Sequence, residues 1–166
     1  HIIKLFIFAI ISQIPFVLFL STFTNDFYLN IFFTFLLATF AMFFYDKCKN
    51  KILGFISVIF ISIIAELVKV DYGAFGVLLV FLFYIFKDKK VYMSIATFIL
   101  CFSKYIISII SFPAFYFQYI LCAFFTFLAT IFILFYNGKE GPKTKYFFYI
   151  FYPLHLLILY FLHIAS

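Results

Sequence analysis

A histidine and a proline lie two residues apart in the apolar segment KYFFYIFYPLHLLILYFLHIAS. His155 can accept and release a proton near neutral pH, which makes it a candidate general base. Tyr152 adds a phenol directly before Pro153. Pro153 removes a backbone donor and so frees a carbonyl one turn earlier. A hydrogen bond from His155 to that carbonyl is the structural alternative, and the sequence leaves both roles open.

Polar residues recur along one face of the segment from 91 to 111. Their spacings of three and four residues match one side of a helix. The set is Ser94, Thr97, Cys101, Lys104, Ser108 and Ser111. Lipid cannot solvate such a face, so we expect it to line the protein interior or a wet cavity. Glu66 and Asp71 are the predicted partners of Lys104, and a purely structural pairing or a snorkelling lysine stays an equal alternative.

Other apolar segments carry polar side chains at a similar predicted depth. They are Gln13, Asn30, Thr34, Gln118, Cys122, Thr126 and His155. Interhelical hydrogen bonding explains any one of them. Several together predict a water-accessible polar cavity between the midplane and the outer surface. Pro15 is expected to open the first helix beside Gln13, where polar neighbours can satisfy the freed carbonyl.

The composition places all these residues in a membrane. The chain has 166 residues, of which 68% are hydrophobic and 11% charged. A soluble domain is usually about 45–50% apolar and about 25% charged, so we predict an integral membrane protein. Apolar runs near 20 residues without alternation favour helices over a barrel. The three cysteines show no metal-ligand spacing, and we predict no metal and no nucleic-acid partner.

Charged and turn-forming breaks divide the chain into seven predicted transmembrane helices in one domain. They cover about residues 2–21, 29–45, 52–68, 70–86, 91–111, 114–135 and 146–164. Ten lysines fall in the amino-terminal stretch and the second, fourth and sixth loops, whereas Lys69 is alone on the other side. By the positive-inside rule the amino end is cytoplasmic and the carboxyl end is outside. Because the sequence begins at His1 within an apolar run, we also expect an amino-terminal truncation.

Five ordered motifs resemble the TraX family of bacterial membrane proteins. They are LFIFAIISQIPF, NIFFTFLL, DYGAFGVLLVFLFYIF, YNGKEG and KYFFYIFYPLHLLILYFL. The resemblance covers nearly the whole chain, and DYGAFGVLL and FYIFYPLHLL are its most specific pieces. It implies a multi-pass protein of the bacterial cytoplasmic membrane. It further implies an acetyltransferase-like activity, with acetyl-CoA as donor and a pilin amino terminus or another cell-surface amine as acceptor.

The resemblance also implies roles for particular residues. His155 would orient or deprotonate the acceptor, or support a base that lies upstream, and the acceptor side would be lined by Tyr152, Asn30, Thr34, Asp71 and Tyr72. The predicted depth of Lys104, Gln118 and Gln13 in their helices adds these three to the same lining. Asn137 and Lys139 lie in the lysine-rich loop NGKEGPKTK, which would attract the CoA phosphates. Simple positive-inside topology is the preferred explanation of that loop. Asp71 alternatively caps the fourth helix.

Two departures from the family pattern affect this interpretation. Gln13 stands where the family often has an acid, and the upstream helices that carry an Asp-His pair in the family have no match here. If that pair is the catalytic base, the chain lacks it.

Two other function classes stay open at this point. A proton-coupled transporter would use Lys104, Glu66, Asp71 and His155 as a relay, although no inverted repeat supports it. A non-catalytic assembly factor is the third possibility. Acetyl-CoA turnover would indicate the acyltransferase, and substrate flux without acyl transfer would indicate the transporter. The absence of both would indicate the assembly factor.

Overall fold

The computed structural model describes residues 2–136 and 147–165, and these residues are almost entirely helical. The helices are α1 (Ile2–Leu20), α2 (Ile31–Lys47), α3 (Lys51–Leu67), α4 (Gly73–Ile85), α5 (Lys90–Ser111), α6 (Tyr116–Phe135) and α7 (Phe147–Ala165). A 3-10 turn at Pro113–Phe115 separates α5 from α6. The all-α prediction is confirmed, and each predicted helix is found within a few residues of its expected bounds.

Four of these helices are long and apolar enough to cross a membrane: α1, α5, the 3-10 turn with α6, and α7. Both α2 and α3 have 17 residues, close to the lower limit of about 17–25 for a span. With 13 residues, α4 is shorter than that limit. The membrane character is therefore supported, while the count of seven spans and their orientation stay predictions.

The helix starts follow from local chemistry. The Asn30 side chain accepts a hydrogen bond from Phe32 N at 3.0 Å and so caps α2, and Asn50 caps α3 through Ile52 N at 2.9 Å. Asparagine is among the preferred capping residues. The fourth helix begins three residues later than predicted because Tyr72 and Gly73 have φ of 64° and 50°. Those left-handed values interrupt any helix that would continue through them.

The chain divides into two compact units, residues 1–78 with 141–166, and residues 79–140. In the first unit α1 packs against both α2 and α7. Phe8 stacks on Tyr149 with ring centroids 4.5 Å apart, and Phe23 lies 5.5 Å from the His163 ring. These two contacts show that α1 and α7 run in the same direction, as expected for the first and last of an odd number of spans.

The second unit is built on the antiparallel pair α5 and α6. Ser94 Oγ donates a hydrogen bond to the Thr130 carbonyl at 3.0 Å, and Thr126 Oγ1 lies 3.3 Å from the Tyr105 hydroxyl. The turn predicted at Phe112–Pro113 is confirmed, since α5 ends at Ser111. Ser94, Thr97 and Cys101 are buried on one face of α5, as the polar spacing predicted.

Candidate functional site

Two side-chain amides join α1 to the start of α2. Gln13 Nε2 donates to the Tyr28 carbonyl at 2.8 Å, and Gln13 Oε1 accepts from the Asn30 backbone N–H at 3.0 Å. Asn30 Nδ2 donates both to Gln13 Oε1 at 2.8 Å and to the Ala9 carbonyl at 2.7 Å. Since Asn30 Oδ1 caps α2, every polar atom of this fully buried side chain has a partner. Asn30 therefore positions α1 against α2, and no donor of its side chain is left for a substrate.

The Asp71–Tyr72–Gly73 turn attaches to the same end of α2. The Asp71 N–H donates to the Leu29 carbonyl at 2.7 Å, and the Leu29 N–H donates to the Lys69 carbonyl at 3.0 Å. Thr34 Oγ1 donates to the Asp71 carbonyl. Tyr72, held at φ of 64°, is a non-glycine residue in the left-handed region, a strain of about 1–3 kcal/mol that is concentrated at functional sites. The predicted neighbours Thr34, Asp71 and Tyr72 thus meet in the first unit.

Glu66 supplies the cap that one interpretation of the sequence assigned to Asp71. Its Oε2 accepts a hydrogen bond from the Ala74 N–H at 2.9 Å, in the first turn of α4. Gly73 is required beside it, because a Cβ built at position 73 would lie 2.2 Å from Glu66 Oε2. Glu66 is therefore a structural residue of this turn.

Gly73→Ala is expected to lower the free energy of unfolding by about 1–3 kcal/mol, through left-handed strain and displacement of the Glu66 carboxylate. Equilibrium unfolding in mixed micelles measures the change. In a Glu66→Ala background the clash is absent, so the same glycine substitution should cost less than in the native background. Equal losses in both backgrounds would contradict the contact.

Tyr152 links α7 to the strained turn. Its phenol oxygen is hydrogen-bonded to the Ile31 backbone N–H and interacts electrostatically with Asp71 and Tyr72. Its ring packs edge-on against Phe32 at 5.2 Å. A phenol oxygen that accepts a backbone N–H keeps its own O–H for another acceptor. Tyr152 can therefore donate a proton or a hydrogen bond to a group bound beside Asp71.

His155 lies on α7, one helical turn after Phe151. Its Nδ1 is 3.1 Å from the Phe151 carbonyl, and its ring stacks on Phe151 at 5.0 Å and contacts the Tyr152 ring at 5.6 Å. The carbonyl that Pro153 frees belongs to Tyr149, so the predicted structural bond to a freed carbonyl is not the one observed. A carbonyl acceptor places the proton on Nδ1, which leaves the Nε2 lone pair available as a base.

Ser12 is a polar residue of this region that the sequence interpretation did not assign to the site. Its side chain is fully buried, and its Oγ has no hydrogen-bond partner among the residues that the structure describes. An unpaired buried hydroxyl costs about 1–3 kcal/mol. Ser12 shares a buried stripe of α1 with Leu5, Ala9 and Phe16. A single hydroxyl in an otherwise apolar stripe is the sequence feature that could have identified Ser12 as a candidate site residue.

The register of α1 and α7 places Ser12 at the level of the Tyr152–His155 segment. Phe8 lies opposite Tyr149, and four residues further along each helix bring Ser12 to the level of Pro153. The stripe that contains Ser12 includes Leu5 and Ala9, which belong to the core cluster packed by Tyr149 and Tyr152. The hydroxyl therefore faces the junction of α1 with α2 and α7.

The other predicted site residues belong to the second unit or to residues that the structure does not describe. Lys104 is half-buried on α5 and Gln118 is exposed near the start of α6, and both belong to the second unit. Asn137 and Lys139 lie outside the described residues. Within the described ranges, no three His, Cys, Asp or Glu side chains are placed to bind a metal ion. The candidate site is thus the Tyr152 site, which we define as Ser12, Asp71, Tyr72, Tyr152 and His155.

A known protein family matches nearly the whole chain. A family model described as TraX protein matches residues 1–163. No curated protein and no solved structure gives a significant match to the chain. The match spans both units and includes every residue of the Tyr152 site.

Proposed function

Since the chain belongs to the TraX family, we propose that it is a membrane acyltransferase. The reaction transfers an acetyl group from acetyl-CoA on the cytoplasmic side to an amine acceptor, such as a pilin amino terminus or another cell-surface molecule. The observation that supports the proposal is the ring contact of Tyr152 with His155, in the unit that also holds the Asp71 carboxylate within electrostatic range of the phenol. A carboxylate, a phenol and an imidazole thus belong to one unit of a helical membrane protein.

These groups meet the chemical needs of amide formation. The Asp71 carboxylate attracts and orients the acceptor ammonium. His155 Nε2 removes one proton, so that the nitrogen lone pair can attack the thioester carbonyl carbon. The C–N bond forms and the C–S bond breaks, and the proton held by His155 passes to the leaving thiolate sulfur. The attacking nitrogen loses its second proton to solvent as it becomes a neutral amide, so the overall reaction releases one proton. The Tyr152 O–H stabilises the oxyanion that develops on the carbonyl oxygen.

Burial supports this chemistry. Tyr152 packs with Phe8, Phe32 and Leu36 in the first unit's apolar cluster. A low-dielectric surrounding strengthens the electrostatic interactions of a phenol and a carboxylate. It also limits the access of water, which would otherwise hydrolyse the thioester.

One residue of the relay that a transporter would need, Glu66, has a structural role. Glu66 accepts a hydrogen bond from the first turn of α4 and is accounted for by that structural role. Lys104 belongs to the second unit, whereas Asp71 and His155 belong to the first. The test is to incubate the purified protein with acetyl-CoA and an amine-bearing peptide, and to assay acetylated peptide together with free thiol. Equal amounts of both products support acyl transfer, and absence of both contradicts it.

Ser12→Ala is expected to separate stability from activity. Removal of an unpaired buried hydroxyl leaves the free energy of unfolding unchanged or raises it by up to about 1 kcal/mol. On the proposal that this hydroxyl finds its hydrogen-bond partner only when acceptor or donor is bound, acetyl transfer should fall by at least about tenfold. Unfolding and transfer rate are measured on the same preparation.

Ser62→Ala is the matched control for that variant. Ser62 is also buried, but its Oγ donates to the Val58 carbonyl of its own helix at 2.9 Å. Its removal should leave transfer unchanged. A Ser12 variant that is destabilised and retains full activity would show that Ser12 is a packing residue only.

A further inference from the structure

The second unit contains a cavity where α4 ends, α5 begins and α6 ends. Its volume is about 470 Å³, within the range of about 300–1,000 Å³ found for small-molecule sites. Its lining includes Lys87 and Lys90, together with the apolar side chains of Phe83, Met93, Phe132 and Ile133, which we call its apolar wall. We call it the Lys87–Lys90 pocket. It is separate from the residues of the Tyr152 site.

Of the two lysines that line the pocket, one is hydrogen-bonded and the other is exposed. Lys90 Nζ donates a hydrogen bond to the Tyr136 carbonyl at the end of α6, which holds the ammonium at the rim. Lys87 is exposed. Residues 87–90 comprise three lysines and a single aspartate, Asp88. An ammonium is a compact charge that binds phosphate oxygens well.

Because of its apolar wall, the pocket fits a purely ionic ligand poorly. Phe132 is 76% exposed and Phe83 is 37% exposed, although both lie in helices of a membrane protein beside the lysines. A small soluble anion would leave these rings uncovered. A hydrocarbon chain would cover them and gain about 25 cal/mol for each Å² of apolar surface removed from water. The pocket therefore fits a molecule that has a phosphate at one end and an acyl chain at the other.

We propose that the Lys87–Lys90 pocket binds an anionic phospholipid. The phosphate lies between the two lysines, and one acyl chain follows the wall formed by Phe83, Met93 and Phe132. Basic pockets at the ends of transmembrane helices are suited to anionic lipid head groups. The membrane supplies this ligand at high local concentration, which a soluble thioester does not match. The site is independent of the acyltransferase proposal, because none of its residues takes part in that reaction.

The test measures lipid retention by native mass spectrometry after purification from vesicles of phosphatidylglycerol and phosphatidylcholine in equal amounts. The native protein should retain phosphatidylglycerol about 25-fold more than phosphatidylcholine, since each of the two lysines adds about fivefold. The Lys87→Gln/Lys90→Gln variant should lose most of that preference. The Lys47→Gln/Lys49→Gln variant removes the same charge from the α2–α3 connection and should keep it.

The single variant Lys87→Gln keeps the Lys90 hydrogen bond to Tyr136, so it shows whether the double variant acts through folding. Lys87 has no described hydrogen bond, so this variant should fold normally and lose the preference about fivefold. Equal losses in the pocket and control variants would overturn the proposal in favour of general charge attraction. Displacement of the lipid by glycerophosphate would show that a phosphate suffices without the chain. Displacement by acetyl-CoA would assign the pocket to the thioester donor, and either result overturns the lipid assignment.

Discussion

His155→Ala is expected to lower the rate of acetyl transfer by about 10²–10⁴-fold, the usual contribution of a positioned general base. The bond from Nδ1 to the Phe151 carbonyl holds the ring so that Nε2 is the proton acceptor. Alanine removes that base and also the ring that contacts Tyr152. The loss should appear in kcat, because the acceptor ammonium is still held by Asp71.

The control for His155 is the second histidine of the same helix. His163 is exposed in the last turn of α7 and lies beside Phe23. His163→Ala should transfer acetyl groups at close to the native rate. A further variant, His155→Gln, preserves a hydrogen bond to the Phe151 carbonyl but supplies no base, so it should be as inactive as alanine. Native activity in a folded His155→Gln protein would exclude proton transfer by this residue.

Asn30→Ala is expected to have the largest effect on stability, lowering the free energy of unfolding by about 2–4 kcal/mol. The substitution removes the cap of α2 and both interhelical hydrogen bonds to α1. Gln13 Oε1 then keeps only the Asn30 backbone N–H as a partner. Unfolding in mixed micelles, followed by loss of helical circular dichroism, measures the change.

Asn50→Ala isolates the capping part of that effect. Asn50 has the same residue type and the same capping bond, to Ile52 N at 2.9 Å, but it is exposed and makes no interhelical bond. Its loss should be about 1 kcal/mol. If the two variants lose the same amount of stability, the bonds from Asn30 to α1 contribute nothing.

Helix positions were predictable because the membrane imposes them. In lipid every backbone polar group must be satisfied within the helix, so long apolar runs between charged breaks give the bounds of α1, α5 and α6 within two residues. The exception is α4, whose start depends on the left-handed residues Tyr72 and Gly73. Hydropathy does not describe backbone dihedral angles, so the later start was not predictable from it.

The candidate site was predictable only in part. The sequence indicated Tyr152, His155 and Asp71 as chemical groups, and the structure joins them through Tyr152. It also predicted Asn30 as a site-lining residue, whereas all its polar atoms are used between α1 and α2. Depth along a helix can be read from hydropathy, but the neighbour that each face meets depends on helix packing. For the same reason there were only weak grounds in the sequence to include Ser12 in the site.

The most direct test of the account places donor and acceptor on opposite sides of a membrane. Proteoliposomes hold labelled acetyl-CoA inside and an amine-bearing peptide outside, and the external peptide is assayed for the acetyl label. Acyl transfer predicts labelled external peptide with an equal amount of free thiol inside, and no labelling with the His155→Gln protein. Unlabelled peptide accumulating inside, without release of thiol, would contradict the account and indicate transport.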